Sequence, residues 1–224
     1  MLKFLDFDGV IVDSIEECYI ISKSVYFGYS FFTYDEIEYK NIFYKYRGLV
    51  RPPCEYLILH KAIEIYIKDR KYDFKKLFIE TSKNIIDEDK QIFEKDFFQK
   101  RHSYQENNFQ AWINLNPLMD FGKTLIDSNN IDVYIVTTKN KAATIALLDF
   151  YKIDVAGIYA NDEIKSFGSK GELIKSLMLK KDKQEAFFLD DSVEHLDSIN
   201  DGRVKCFFAD WGYGENSTYD VYKY

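Results

Sequence analysis

The stretch that decides the fold is Leu2-Lys3-Phe4-Leu5-Asp6-Phe7-Asp8-Gly9, which continues through Val-Ile-Val to Asp13 and Ser14. Its apolar beginning predicts a short β-strand, and that strand runs directly into two aspartates and a glycine. Carboxylates at the end of a hydrophobic strand do not serve packing, because burying an unpaired charge is costly. We therefore expect a polar site where this first strand ends.

Further apolar segments have the same strand-like character: 131–136, 158–160, 186–189 and 204–209. Helical spacing of apolar residues follows in 141–150 and 169–178. Strands that alternate with helices in this way are typical of an α/β protein with a parallel sheet and helices on both faces. Ligand sites of such sheets lie outside the carboxyl ends of the strands. The ends marked by Asp6, Thr137 and Asp190 should therefore meet at one edge.

The residues between Ser14 and Pro117 have a different character, with helical periodicity and few glycines. Segments 55–70 and 73–104 are predicted to form amphipathic helices, and the Pro52-Pro53 pair interrupts the chain before the first of them. An insert of this length is too long for a connection between a strand and a helix. We expect one domain of residues 1–14 and 117–224, and a helical domain of residues 15–116.

Composition excludes some classes of function. The 224 residues include 30 basic and 37 acidic side chains, for a formal net charge of −7. Scattered basic residues among more numerous acids argue against nucleic acid as a partner. No apolar run approaches the roughly 18 residues of a membrane span, and acidic residues lie where a signal peptide is uncharged. We expect a cytoplasmic protein without a membrane partner, either a monomer or a homodimer.

The paired aspartates indicate a metal. Residues two apart on an extended segment face the same side, so Asp6 and Asp8 would repel each other unless a cation lies between them. Asp191 arrives from another strand end, and an oxygen-rich set suits Mg²⁺. Gly9 allows a close turn whose amide groups can face an anion, which makes it a candidate substrate-binding residue.

Four motifs in order resemble those of the haloacid dehalogenase superfamily of phosphohydrolases. DFDGVIVDS (6–14) is similar to the first motif, IVTTK (135–139) to the second, Lys170 before a helix to the third, and FLDDS (188–192) to the fourth. WGYG (211–214) resembles a segment of the members similar to phosphoglycolate phosphatase. The resemblance covers residues 1–14 and 117–215, and it implies a Rossmann-like core with a C1-type helical cap.

The resemblance also implies roles for single residues. Asp6 would attack phosphorus and carry an aspartyl-phosphate, and Asp8 would donate and later accept a proton. Thr137 and Lys170 would contact the phosphoryl oxygens. Two aspartates of the fourth motif complete the predicted metal site.

In that site Asp6 would bind Mg²⁺ directly and Asp8 through its main-chain carbonyl. Asp191 matches the acidic ligand of the fourth motif, and Asp190 is its neighbour.

Two differences between this chain and the family's motifs leave alternatives open. Many relatives carry another aspartate four or five residues beyond the fourth-motif acid, where this chain has His195 and Leu196. Glu194 or Asp190 would then substitute. Lys165 also lies in the loop of the third motif, and Lys170 is favoured because it precedes a helix.

Other candidates are weaker. Arg47 and Arg51 flank a short break between helices, where caps of this type approach substrate, and both are candidate substrate-binding residues with a solvated surface as the alternative. Thr138 is a second candidate at the phosphate. Lys139 is expected to be solvated, and the histidines, His195 among them, receive no role.

Together these features predict a magnesium-dependent phosphatase that hydrolyses a small phosphorylated metabolite, a phosphomonoester, through an aspartyl-phosphate. A phosphomutase acting on a sugar phosphate is the first alternative, and a non-catalytic binding protein of the same fold is the second. The presence of Asp8 favours phosphoryl transfer over dehalogenation, because a halide leaving group needs no proton.

Overall fold

A computed structural model describes residues 1–28, 32–126, 128–181, 185–216 and 218–224 of the chain. The chain divides into two compact units, one of Met1–Ser14 with Asn116–Tyr224 and one of Ile15–Leu115. We call them the sheet unit and the helical unit.

The elements of the described residues, in chain order, are β1 (Leu2–Leu5), α1 (Ile15–Phe27), α2 (Glu36–Tyr46), a 3₁₀ turn (Arg47–Leu49), α3 (Glu55–Lys68), α4 (Phe74–Lys83), α5 (Asp87–Asn107), α6 (Phe109–Asn114), α7 (Asp120–Lys123), β2 (Val133–Val136), α8 (Lys141–Tyr151), β3 (Gly157–Tyr159), α9 (Asn161–Phe167), α10 (Lys170–Lys180), β4 (Ala186–Asp190), α11 (Val193–Asp197) and β5 (Val204–Phe208).

The sheet unit contains a parallel sheet with the strand order β3-β2-β1-β4-β5. Strands β2 and β4 are buried at every position, whereas the edge strands β3 and β5 are only partly buried. This explains why the segments of β2 and β4 are apolar runs without alternation. The predicted Rossmann-like parallel sheet is confirmed, with β1 at its centre.

Helix α10 is placed so that its first residue reaches the centre of the sheet. Ser169 caps the helix by accepting a hydrogen bond from the amide of Glu172 at 3.1 Å. A Cβ atom on Gly171 would lie 1.9 Å from the carbonyl oxygen of Ser198, so only glycine permits this close approach. Lys170, between these two anchors, is buried.

The helical unit has its own core, which combines aliphatic residues with aromatic ones such as Tyr39, Phe43 and Phe97. The predicted helix over 55–70 is confirmed as α3. The segment 73–104 forms two helices, α4 and α5, because the chain breaks between Asn84 and Ile86. No helix within the described ranges is long and apolar enough to cross a membrane.

Candidate active site

Asp6 lies at the carboxyl end of the central strand, at the start of a tight turn. Its amide donates to the carbonyl of Leu189 on β4 at 2.9 Å, which continues the sheet by one residue. The amides of residues 10, 11 and 12 then all donate to the carbonyl of Phe7. Gly9 has φ +84°, a left-handed conformation that favours glycine, and its amide donates to Val12 at 2.8 Å. The turn therefore fixes the backbone of both aspartates.

Lys170 connects the ends of β1 and β4. Its Nζ lies 2.9 Å from Asp6 Oδ1 and 2.8 Å from Asp190 Oδ2, and all three side chains are buried. Lys165, the alternative, is exposed on α9. The structure thus brings Lys170, the residue favoured from the sequence, to the predicted nucleophile.

Charges in this cluster shift the pKa values of its members in different directions. Burial and the charge of Asp190 raise the pKa of Asp6, and Lys170 opposes both effects. Burial acts the same way on Asp190, but Lys170 and His195 outweigh it and lower its pKa. Burial favours the neutral form of Lys170, yet the two carboxylates raise its pKa, so it carries a positive charge at neutral pH.

His195 is a member of the site that the sequence analysis left without a role. Its Nδ1 lies 3.1 Å from Asp190 Oδ2, and the amide of Ser192 donates to the other oxygen of Asp190 at 2.8 Å. Asp190 is therefore held by Lys170, His195 and a main-chain amide. The sequence carried no clear signal of this contact, because it depends on the short helix α11 folding back over the end of β4.

The prediction that Lys139 is solvated is wrong. Its side chain is fully buried, and its Nζ lies 3.0 Å from Asp8 Oδ1. Strand β2 is the neighbour of β1, so the loop after β2 lies beside the turn after β1. The two predicted catalytic aspartates therefore each face a different lysine, Asp6 facing Lys170 and Asp8 facing Lys139.

Thr137 follows β2 at the same edge and is buried. Its amide donates to the carbonyl of Tyr159 at 2.9 Å, and its Oγ1 accepts from the amide of Lys139 at 3.1 Å. Because this bond uses the hydroxyl as an acceptor, the hydroxyl proton points elsewhere and can be donated. Thr138 is partly buried, and its contact with substrate stays a prediction.

Asp191 is enclosed by glycine backbone. The amide of Tyr213 donates to its Oδ2 at 2.6 Å. A Cβ atom on Gly9 or on Gly212 would lie 2.4 Å or 2.6 Å from the same oxygen, and one on Gly214 would lie 1.8 Å from the Asp191 carbonyl oxygen. The WGYG segment thus forms a cradle that fixes this carboxylate.

The donor set at this edge fits a hard divalent cation. The carboxylates of Asp6, Asp8 and Asp190 face the ammonium groups of Lys139 and Lys170, and Asp191 adds a fourth carboxylate after β4, which leaves an excess of negative charge. Among the described residues, Asp6, Asp190 and His195 offer ligand atoms within 4.8 Å of one another. The Lys170 ammonium already lies against Asp6 and Asp190, so a cation at the centre of this group would meet a positive charge.

The candidate substrate residues of the helical unit have partners within their own turn. Arg47 is 8% exposed, its Nη1 donates to the carbonyl of Val50 at 3.0 Å, and its guanidinium lies 5.2 Å from the centre of the Tyr56 ring. Arg51 Nη1 donates to the carbonyls of Gly48 and Val50. A role for either arginine in substrate binding stays a prediction.

Comparison with known proteins identifies the fold. No protein-family model matches the sequence, and a search among curated proteins finds no match. Several solved structures do match.

A haloacid dehalogenase-like family hydrolase from Streptococcus pneumoniae has a TM-score of 0.60 at 16% identity, over 95% of this chain and 86% of that one. A predicted phosphoglycolate phosphatase from Haemophilus somnus has a TM-score of 0.63 at 14% identity, over 96% and 88%. A predicted phosphatase from Clostridium acetobutylicum has a TM-score of 0.58 at 14% identity, over 95% and 85%. The chain therefore has the fold of the haloacid dehalogenase-like hydrolases, as its motifs indicated.

Proposed function

We propose that this chain is a magnesium-dependent phosphatase that hydrolyses a small phosphomonoester, a phosphorylated metabolite of the cytoplasm, through an aspartyl-phosphate on Asp6. The observation that carries the proposal is the placement of Lys170 between Asp6 and Asp190, at the sheet edge where Asp8 and Thr137 also lie. The fold of hydrolases and phosphatases named above supports it by analogy.

In the first half-reaction an oxygen of Asp6 forms a bond to phosphorus while the bond from phosphorus to the leaving oxygen breaks. Asp8 gives its proton to that leaving oxygen, which departs as an alcohol. Lys170 and the Thr137 hydroxyl stabilise the charge that builds up on the phosphoryl oxygens. Gly9 and Thr138 would add contacts to the phosphate from the neighbouring loops.

In the second half-reaction Asp8, now ionised, takes a proton from water, whose oxygen attacks phosphorus. The bond to Asp6 breaks, inorganic phosphate leaves, and the two aspartates return to their initial states. Splitting one displacement into two in-line steps avoids a direct attack of water on the substrate.

Asp6, the main-chain carbonyl of Asp8 and Asp191 would hold Mg²⁺, with Asp190 beside them. When bound, the ion supplies positive charge that offsets the negative charge of the carboxylates and the phosphate. The excess of carboxylates and the glycine cradle around Asp191 support this assignment.

The test is phosphate release from a nitrophenyl phosphate and from a panel of sugar, polyol and carboxylic acid phosphates. Asp6→Asn should fold, because Lys170 keeps Asp190 as its partner, and should lose activity by at least about 10⁴-fold. Removal of divalent ions with a chelator should abolish turnover, and added Mg²⁺ should restore it.

Asp120→Asn is the matched control, since its side chain is 80% exposed and pairs only locally with Lys123. It should retain full activity. Acid-quenched wild-type protein should carry a labelled phosphoryl group, and the Asp6→Asn variant should carry none. An Asp6→Asn protein that turns over normally would refute the mechanism.

A further inference from the structure

Lys139 is a charged side chain of the sheet unit whose burial the proposed reaction leaves unexplained. Its side chain is 0% exposed. Burial of an ammonium is unfavourable unless nearby anions compensate it, and an apolar residue of similar length would fill the same volume without that penalty. We therefore expect the Lys139 ammonium to have a specific anionic partner.

The backbone of Lys139 is anchored on both sides. Its amide donates to Thr137 Oγ1 at 3.1 Å, and its carbonyl accepts from the amide of Asn161 at 3.2 Å. The stem of the side chain consequently starts from a fixed point between the ends of β2 and β3. Its ammonium is delivered to a defined position next to β1.

At that position the ammonium contacts both oxygens of Asp8, at 3.0 Å and 3.4 Å, and lies 3.5 Å from Asn116 Oδ1. Asp8 is more open than its partner, with 15% of its side chain exposed. Contacts to both oxygens restrict rotation of the carboxylate, since either rotation lengthens one of them. Without Lys139, the partly exposed carboxylate could turn toward water.

We propose that Lys139 is a positioning residue that orients the Asp8 carboxylate for proton transfer, an inference that rests on the proposed phosphatase function. The reaction needs Asp8 to face the leaving oxygen and later the attacking water, and misplacement of a catalytic group by about 1 Å can cost 10²-fold in rate. Lys139 touches neither phosphorus nor the leaving group in this scheme. It acts through Asp8 alone.

The test compares two substrates that depend differently on Asp8. A nitrophenolate leaves without protonation, whereas the alkoxide of glycerol phosphate needs a proton. Lys139→Met should lower kcat for glycerol phosphate by about 10²-fold and change KM by less than about threefold. For both substrates the rate of phosphoenzyme formation is also followed in a single turnover, where nitrophenyl phosphate should lose less than about fivefold because its leaving group needs no proton.

The decisive experiment is a double-mutant cycle that combines Lys139→Met with Asp8→Asn. In an Asp8→Asn background, Lys139→Met should have no further effect on glycerol phosphate hydrolysis, because the group it orients is absent. Lys141→Met is the matched control, a lysine two positions away whose side chain is 49% exposed and pairs with Glu163. It should leave both substrates unchanged.

Equal losses on both substrates, or a Lys139→Met effect that persists in Asp8→Asn, would overturn the inference while the phosphatase function stands. Failure of the wild-type chain to release phosphate from any substrate would overturn both. If Lys139→Met does not fold, Lys139→Gln keeps a polar group in the pocket without the charge, and the same selective loss is expected of it.

Discussion

A buried cluster of acidic and basic side chains in the helical unit differs in its charge balance from one in the sheet unit. In the helical unit Glu17 and Arg101 form a bidentate pair, with Nε to Oε1 at 2.6 Å and Nη2 to Oε2 at 2.8 Å. Trp112 Nε1 donates to the same carboxylate at 3.4 Å. In the sheet unit the single ammonium of Lys170 lies between two carboxylates, those of Asp6 and Asp190.

The difference lies in charge balance. One guanidinium and one carboxylate neutralise each other, and two guanidinium nitrogens each donate to a different carboxylate oxygen, as expected of a structural pair. The sheet cluster has more carboxylate than ammonium, and its two aspartates have pKa values shifted in opposite directions. Groups whose environments separate their pKa values in this way are typical of acid-base and nucleophilic sites.

The largest expected effect comes from breaking the balanced pair. Arg101→Met should lower the free energy of unfolding by about 3–5 kcal/mol, because Glu17 is left as a buried, unneutralised carboxylate. Urea unfolding followed by circular dichroism measures this. Arg70→Met is the control in the same unit, an arginine whose 42% exposed side chain pairs with Glu38, and should cost no more than about 1 kcal/mol.

A double variant separates pairing from packing. Glu17→Met with Arg101→Met removes both charges, so it should be at least about 2 kcal/mol more stable than Arg101→Met alone. If the double variant is the less stable of the two, Glu17 stabilises the unit through a contact outside the pair, such as the hydrogen bond from Trp112 Nε1.

Breaking the unbalanced cluster should affect activity as well as folding, because Asp6 and Asp190 lose the cation that they share. Lys170→Met should lower kcat/KM by about 10²–10³-fold, equal to about 2.7–4 kcal/mol of transition-state stabilisation, since it removes the positive charge beside the nucleophile. Lys165→Met tests the other lysine of the loop, whose side chain is exposed, and should be nearly fully active. A larger loss with Lys165→Met would reverse the assignment made from the sequence.

Much of the sheet could be predicted because burial on both faces leaves a plain signal. The apolar runs at β1, β4 and β5 matched the observed strands to within about one residue, and the polar residues at the ends of β1, β2 and β4 marked the edge that carries Asp6, Thr137 and Asp190. Strand β2 begins later than predicted, at Val133, because Ile131 is 72% exposed before the strand starts. A hydrophobic residue in a turn looks the same in a sequence as one in a strand.

Lys139 and His195 could not be predicted, because their roles depend on which loops are neighbours. Lys139 meets Asp8 only because β2 pairs with β1, and that pairing order follows from three-dimensional packing. His195 meets Asp190 because α11 folds back over the end of β4. A lysine after a strand and a histidine on a short helix are, in sequence alone, ordinary surface residues.

A neutral buried group in the helical unit should make stability depend on pH. His60 donates or accepts at both ring nitrogens, with Tyr39 at 2.8 Å and Ser22 at 2.9 Å, and burial lowers its pKa to about 3. In the unfolded chain its pKa is about 6.5, so as pH falls below that value only the unfolded state gains the proton. Stability is therefore lost between about pH 6.5 and pH 3.

The measurement compares wild type with His60→Gln in urea at pH 7.5 and pH 5. Wild type should lose about 2 kcal/mol more than the variant over this interval, because a glutamine cannot titrate. His102→Gln, a side chain 69% exposed on α5, should show the wild-type pH dependence. Parallel profiles for wild type and His60→Gln would mean that another group takes up the proton.

The smallest expected effect comes from the glycine cradle around Asp191, a feature that the Glu17–Arg101 pair of the helical unit lacks. A Cβ on Gly212 would lie 2.3 Å from Asp191 Cβ and 2.6 Å from its Oδ2, so Gly212→Ala must displace that carboxylate. Gly202→Ala is the control in the same unit, since no atom lies within 4 Å of a Cβ there. If Asp191 holds Mg²⁺, Gly212→Ala should raise the magnesium concentration for half-maximal activity by about tenfold or more, or about 1.4 kcal/mol, while kcat at saturating magnesium falls less. An unchanged magnesium requirement, together with a lower kcat, would place Asp191 outside the metal site and assign the cradle to the shape of the catalytic edge.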